Sequence, residues 1–145
     1  MTHQVLEPHT AEERAQYYSL RWQLLRKPWG QPQGSEQDED DSHAVHAMVI
    51  DNHGDIVGVG RLHRIDEQTG QIRYMAVSEP QRGLGIGAAI LEYLEVQARA
   101  MQIKILTLNA RSNSVPFYLR QGYQVVAKGH TLYNSIHHLM MRKSL

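Results

Sequence analysis

Between Val77 and Ile90 the hydrophobic pattern of this chain changes period across a glycine-rich run, Arg82-Gly83-Leu84-Gly85-Ile86-Gly87-Ala88. Upstream, Ala44 to Ile50 and Ile56 to Ile65 read as two strands joined by a hairpin turn, Asp51-Asn52-His53-Gly54-Asp55. Gln71 to Val77 reads as a third strand after the turn-like Glu67 to Gly70. Downstream, Ile90, Leu91, Leu94, Ala98 and Met101 share one helical face, which predicts a helix from about Leu84 to Met101. An antiparallel meander that passes through a glycine turn into a crossover helix restricts the chain to a mixed sheet with flanking helices, an α/β (α+β) fold.

The remaining segments fit around that centre. Ala11 to Lys27 predicts a helix with Thr10 as N-cap, Glu12 and Glu13 in the first turn, and Tyr17, Leu20, Leu24 and Leu25 facing inward. Pro28 to Ser42, with two prolines, two glycines and the acidic run Glu36 to Asp41, has loop composition and is expected to be mobile. Ile103 to Leu108 reads as a buried strand and Ser114 to Arg120 as a short helix with Pro116 in its first turn and Gly122 as its stop. Tyr123 to Ala127 and His137 to Arg142 read as closing strands. A length of 145 residues suits one domain, residues 1–145.

Composition excludes several function classes. Acidic and basic residues cancel, 15 against 15, so no overall field draws the chain to nucleic acid or anionic lipid. With no cysteine there is neither a thiolate metal site nor a cysteine nucleophile. The nine histidines are scattered and form no H-E-x-x-H motif, so no metal is expected. Met1 to His9 has no apolar run with signal-peptide flanks, and no window is apolar enough to cross a membrane; a cytoplasmic location follows by elimination.

The glycine run is where chemistry first enters. Glycines at a helix N-terminus let backbone N–H groups approach phosphate oxygens, and the positive end of the helix dipole favours the anion by roughly 0.3–1 kcal/mol. A plain strand-to-helix turn that binds nothing is the bland reading. A P-loop is excluded, since no Gly-Lys-Ser or Gly-Lys-Thr follows. Gly83, Gly85 and Ala88 fit the G-x-G-x-x-A spacing of an NAD-dependent oxidoreductase. That motif needs a preceding parallel strand and a ribose-binding carboxylate about 20 residues on, and the strand here ends in Leu108-Asn109.

Tyr74-Met75-Ala76-Val77 followed by Gln81-Arg82-Gly83-Leu84-Gly85-Ile86-Gly87 resembles the acyl-CoA motif of the GNAT superfamily of N-acetyltransferases, with Arg82, Gly85 and Gly87 on its R-x-x-G-x-G core. Phe117-Tyr118-Leu119-Arg120-Gln121-Gly122-Tyr123 is similar to the same family's F-Y-x-x-x-G-[FY] signature. The resemblance implies a mostly antiparallel sheet splayed at a cleft for acetyl-CoA, the co-substrate. Pantetheine would run along Met75, Ala76 and Val77, with the Val77 amide bonding it and the Met75 N–H facing the acetyl carbonyl as an oxyanion-type donor. Arg82, Gly83, Leu84, Gly85, Ile86, Gly87 and Ala88 would cradle the pyrophosphate. Tyr118 matches the tyrosine that protonates the departing thiolate.

Two positions depart from the family pattern. The cofactor-holding asparagine seven residues before the tyrosine is Arg111 here, leaving Asn109 or Asn113 to replace it, or Arg111 to reach a CoA phosphate. The glutamate base found in some members is Leu106, so the base is unassigned, and His63 leads a field that includes Arg61, Arg73 and ordered water. The resemblance implies direct attack by a primary amine of a small molecule or peptide, without a covalent enzyme intermediate. The alternative is a non-catalytic acyl-CoA-binding module. A homodimer through the sheet or the C-terminal strands is compatible with such folds. Acceptor choice in the family is built from the first helix and the following loop, and here Trp22, Trp29 and Glu36 to Asp41 suggest an acidic lip for cationic amines.

Overall fold

The computed structural model describes residues 3–145, which form one seven-stranded sheet with helices on its faces. The strands are β1 (Val5–Leu6), β2 (Val45–Ile50), β3 (Ile56–Arg64), β4 (Thr69–Val77), β5 (Ile105–Arg111), β6 (Gln124–Leu132) and β7 (Ile136–Ser144). Their order is β1-β2-β3-β4-β5-β7-β6, and every neighbouring pair is antiparallel except β4 and β5. A parallel pair cannot be closed by a tight turn, so the chain crosses from β4 to β5 as the helix α2 (Ile86–Ala100). The helices α1 (Ala11–Leu25) and α3 (Val115–Arg120) complete the fold predicted from sequence. The two-residue β1 was not foreseen, because two residues carry no period.

Alternation along β2 builds both faces. Ala47 and Val49 enter the larger apolar cluster with Ile90 and Leu94 of α2, while Met48 joins Val59 and Tyr17 of α1 on the other face. A Cβ on Gly60 would sit 2.7 Å from Ile90 Cγ2 and 2.6 Å from the Met75 sulfur, so glycine there lets α2 lie close against β3. Thr10 caps α1 as expected. Its hydroxyl accepts the Glu13 N–H at 3.0 Å, and the Glu13 carboxylate accepts the Thr10 N–H at 2.9 Å, a capping box that stabilises by about 1 kcal/mol.

The buried stripe of α1 is Tyr17, Arg21 and Leu25; Tyr17 and Leu25 lie as expected, Leu20 and Leu24 are only half-buried, and Arg21 is the addition. Arg21 is fully buried and therefore needs partners. It donates to Asp41 at 2.9 Å, the Glu36 carbonyl at 3.1 Å and the Tyr17 hydroxyl at 2.9 Å. Those partners overturn the expectation of a mobile loop over Pro28 to Ser42. The segment packs around two 3-10 turns, Lys27–Trp29 and Glu39–His43, with Glu36 buried. Its composition resembles that of a solvated loop because the buried arginines that fix its carboxylates are far away in sequence.

The site is created where β4 breaks its ladders. Arg61 pairs with Arg73 and Val59 with Ala76, so Tyr74 and Met75 together oppose Gly60. Tyr74 takes a left-handed conformation, φ 57°, which costs a non-glycine residue on the order of 1–3 kcal/mol and bends the strand. On the other side, the parallel ladder to β5 ends at Ile72 and Leu108. Past those residues the two strands part.

Candidate active site

Tyr74 and Met75 have a partner in neither ladder, and two cavities meet beside them. The larger, about 700 Å³, lies between the end of β4, the glycine loop and α3; the smaller, about 350 Å³, lies between β4, β5 and the β6–β7 hairpin. Leu25, Met75, Arg111, Ser114 and Tyr118 line both. A group reaching this junction from one side therefore meets a group arriving from the other.

Main chain dominates the larger cavity. Gly83 and Gly85 have φ of 85° and 82°, a conformation that side chains with a Cβ rarely adopt, and Gly85 occupies the N-cap of α2 without a side-chain cap. The N–H groups of Ile86, Gly87 and Ala88 take no acceptor among the described residues. Unpaired donors at the positive end of a helix fit phosphate oxygens. Gly83, Gly85, Gly87 and Ala88 line the cavity, as do Met75, Ala76, Val77 and Arg82. Leu84 points outward and Ile86 into the core, so these two offer backbone alone. A Cβ on Gly87 would lie 3.4 Å from the Phe117 ring, which ties the first turn of α2 to α3.

Tyr118 is carried on α3 and is 8% exposed, with Phe117 and Tyr123 edge-on at 4.9 and 5.9 Å. Burial pushes its phenol pKa above the ordinary value, and the charge of Arg111 only partly opposes this. The hydroxyl therefore stays protonated, able to donate a hydrogen bond to a sulfur or oxygen at the junction. Of the other expected cofactor residues, Asn113 lines the larger cavity, Arg111 both, and Asn109 only the smaller.

Side chains dominate the smaller cavity. Arg26 reaches it from the end of α1, Arg73 from β4, Arg111 from β5, His130 from β6 and His138 from β7. His138 is nearly buried and stacks on His130 at 4.3 Å. Its Nδ1 lies 3.2 Å from the His130 carbonyl and 3.0 Å from the Ile136 carbonyl, so Nδ1 donates and Nε2 is left as the proton acceptor. Burial and the neighbouring His130 lower its pKa, against those two carbonyls. Trp29 stacks on Tyr133 of the β6–β7 turn at 5.9 Å, joining the segment after α1 to the hairpin.

Two expectations are corrected at this wall. His63 lines neither cavity; it is buried, its Nδ1 3.1 Å from the Arg61 guanidinium and its Nε2 3.6 Å from Asp40. Burial and then the Arg61 charge lower its pKa, with Asp40 and Asp38 opposing. Of the candidates that alternation offered, Arg73 on β4 lines the smaller cavity, while no residue of β3 lines either, and Arg61 is fully buried against Asp38 and Asp41 of the acidic segment. The acidic run is no lip for cations either. Asp41 pairs with Arg21 and Arg61, and Asp38 with Arg61 and Arg73. Burial raises the Asp38 pKa, but the hydrogen bond and charge of Arg61, the Asp40 N–H and the charge of Arg73 outweigh it and hold the value at about 2.

Sequence reasoning missed Arg26, His130 and His138. The pairing of His138 with Arg111 across β5 and β7 exposes the link, and only a known register supplies it. Among the described residues no group of three or more His, Asp or Glu side chains gathers as metal ligands, and no helix is long and apolar enough to cross a membrane.

Residues 14–123 match the sequence model of the acetyltransferase (GNAT) family. The chain belongs to that family. YjcF of Bacillus subtilis, an uncharacterized N-acetyltransferase, is 30% identical over 132 residues, covering 91% of this chain and 93% of its own. Escherichia coli ElaA shares the fold with a TM-score of 0.81 at 21% identity, covering 98% of each chain. A GNAT acetyltransferase from Elizabethkingia anophelis, solved with acetyl-CoA bound, superposes with a TM-score of 0.77 at 16% identity over 99% of this chain and 98% of its own. The GNAT resemblance and the fold expected from it thus hold for the whole sheet.

Proposed function

We propose that this GNAT chain moves an acetyl group from acetyl-CoA to a primary amine of a small molecule by direct attack. The observation that carries the reading is the junction: Met75, freed from both ladders, and Tyr118 line the place where a donor-rich main-chain cavity meets a side-chain cavity. Bound acetyl-CoA supplies an activated thioester carbonyl. The residues of this chain do the rest. The amides of Ile86, Gly87 and Ala88, with Arg82, hold the pyrophosphate, and Met75 to Val77 guide the pantetheine arm.

The Met75 N–H stabilises the carbonyl oxygen as charge develops on it. Tyr118 donates to the sulfur as it leaves; with a pKa raised by burial it acts as a constant hydrogen-bond donor that releases its proton only as the thiolate forms. His138, with Nδ1 fixed by two carbonyls, takes the proton of the attacking amine at Nε2. No side chain forms a covalent intermediate in this scheme. The location implied by such a substrate is the cytoplasm.

A thiol-release assay over an amine panel, comparing wild type with Tyr118→Phe, tests the reading, and the absence of cysteine keeps its background low. Amine-dependent thiol release that falls in Tyr118→Phe is the expected result. Acetyl-CoA binding with no release over the whole panel would replace this reading with an acyl-CoA-binding module.

A further inference from the structure

The smaller cavity is walled by cations. Arg26, Arg73 and Arg111 line it with two histidines, and no aspartate or glutamate does. Behind the wall, the Tyr74 ring lies 4.2, 4.9, 4.7 and 5.6 Å from the guanidinium groups of Arg21, Arg61, Arg73 and Arg26. Two carboxylates answer those four charges. Asp41 receives Arg21 and Arg61, and Asp38 receives Arg61 and Arg73.

Two of the arginines that line the cavity, Arg26 and Arg73, are left incompletely satisfied. Arg26 donates only to main chain, to the carbonyls of Ser35 at 3.1 Å and Leu25 at 3.2 Å, and pairs with no carboxylate among the described residues. Arg73 is held through Nη1 alone, 3.1 Å from Asp38, and its side chain is 41% exposed. Arg111 also makes no ion pair among the described residues; burial and then the charges of Arg26 and Arg82 depress its pKa. Cations crowded into a concave site without an anion bind one readily, and guanidinium forks suit the paired oxygens of carboxylate and phosphonate.

Two cationic sets must be separated. Arg82 lines only the larger cavity and Arg111 lines both, so a cofactor phosphate is an adequate partner for them. Arg26 and Arg73 line only the smaller one. A cavity of about 350 Å³ is at the low end of the range for ligand sites, which restricts its occupant to a compact molecule.

We propose that the acceptor is a small primary amine that also carries a carboxylate or phosphonate, held by Arg26 and Arg73 while its amine reaches the junction at Met75 and Tyr118. This rests on the reading of the junction as the site of acetyl transfer, and it replaces the expected preference for cationic amines with its opposite. Discrimination arises both ways: the anion is attracted, and a second ammonium group is repelled.

The test uses β-alanine, aminomethylphosphonate, propylamine and putrescine as probes, each measured by calorimetric binding without acetyl-CoA and by thiol release with it. The expected result is that the two anionic amines exceed the other two by about tenfold or more in both measurements, as one charge-assisted contact is commonly worth. Arg26→Gln and Arg73→Gln should each compress that ratio to about threefold or less while acetyl-CoA affinity stays at the wild-type value, and Arg73→Lys should retain part of it. Propylamine or putrescine binding as well as β-alanine overturns the proposal. So does a loss of acetyl-CoA affinity, in place of amine preference, in both glutamine variants. Thiol release without charge preference rejects the anion clamp and leaves acetyl transfer intact; ordered binding without release supports the clamp and rejects the transfer.

Discussion

The two cavities that meet at Met75 are built from different materials. The larger presents main-chain donors on a loop whose shape depends on glycines at positive φ, with few side chains, Arg82, Arg111 and Tyr118 among them, adding to the backbone. The smaller draws its arginines and histidines from five separate elements, and its floor rests on a buried ion network. A site made of backbone is held by local geometry and tolerates exchange of most neighbouring residues. A site made of side chains is set by distant contacts and is free to change its ligand. Such a division suits an enzyme that keeps one substrate fixed while the other varies.

The variant with the largest effect acts at the seam. Tyr118→Phe removes a donor shared by both cavities and should lower turnover by about 100-fold to 10,000-fold, with acetyl-CoA affinity unchanged in a calorimetric titration. A loss of binding instead would place Tyr118 within the main-chain half.

Next comes a lesion confined to the glycine loop. Gly85→Val puts a branched side chain at φ 82° where an added Cβ meets nothing, so its penalty is conformational. Acetyl-CoA affinity should fall about tenfold to a hundredfold, measured by calorimetry, while amine binding stays as in wild type.

The corresponding lesion on the side-chain half is His138→Gln. In wild type, kcat/KM should decline as pH falls through a His138 pKa lying below the ordinary value of about 6.5, since burial favours the neutral base. His130 stacks on this ring and Arg111 pairs across the strand, and both oppose its protonation. The variant should turn over more slowly at neutral pH and lose that acid limb. Retention of the limb would move the base elsewhere.

The smallest effect on chemistry belongs to the floor. Asp38→Asn leaves Arg61 with Asp41 but removes one buried-side partner, at a cost on the order of 1–3 kcal/mol visible as a lower Tm. Because the folded pKa of Asp38 is depressed to about 2, its contribution is present above the unfolded value of about 4 and lost as pH falls through 2. Wild type should therefore lose stability over that acid window, and the variant should lose less.

These contrasts also explain what could be read in advance. Gly83 and Gly85 announce their half of the site because only glycine serves at those angles, and Tyr118 is fixed within a short helix bounded by Pro116 and Gly122. The period change correctly placed α2 and the crossover. The bulge at Tyr74 left no trace, since tyrosine is not a residue that signals a left-handed turn. Arg21 is hidden by its charge, and the segment that carries its carboxylate partner Asp41 has the composition of a solvated loop. Arg26, Arg73, Arg111 and His138 converge only after β5 has paired with β7 and parted from β4, which is tertiary information.

The most direct test of the two-material site is a calorimetric titration of the whole chain with acetyl-CoA, with CoA, NADH and ATP run in parallel. Acetyl-CoA and CoA should bind with similar affinity, through the pyrophosphate loop and pantetheine strand that both engage, and NADH and ATP should bind far more weakly. Preferential binding of NADH, or binding of none of the four, would contradict the account by reducing the glycine loop to a structural turn.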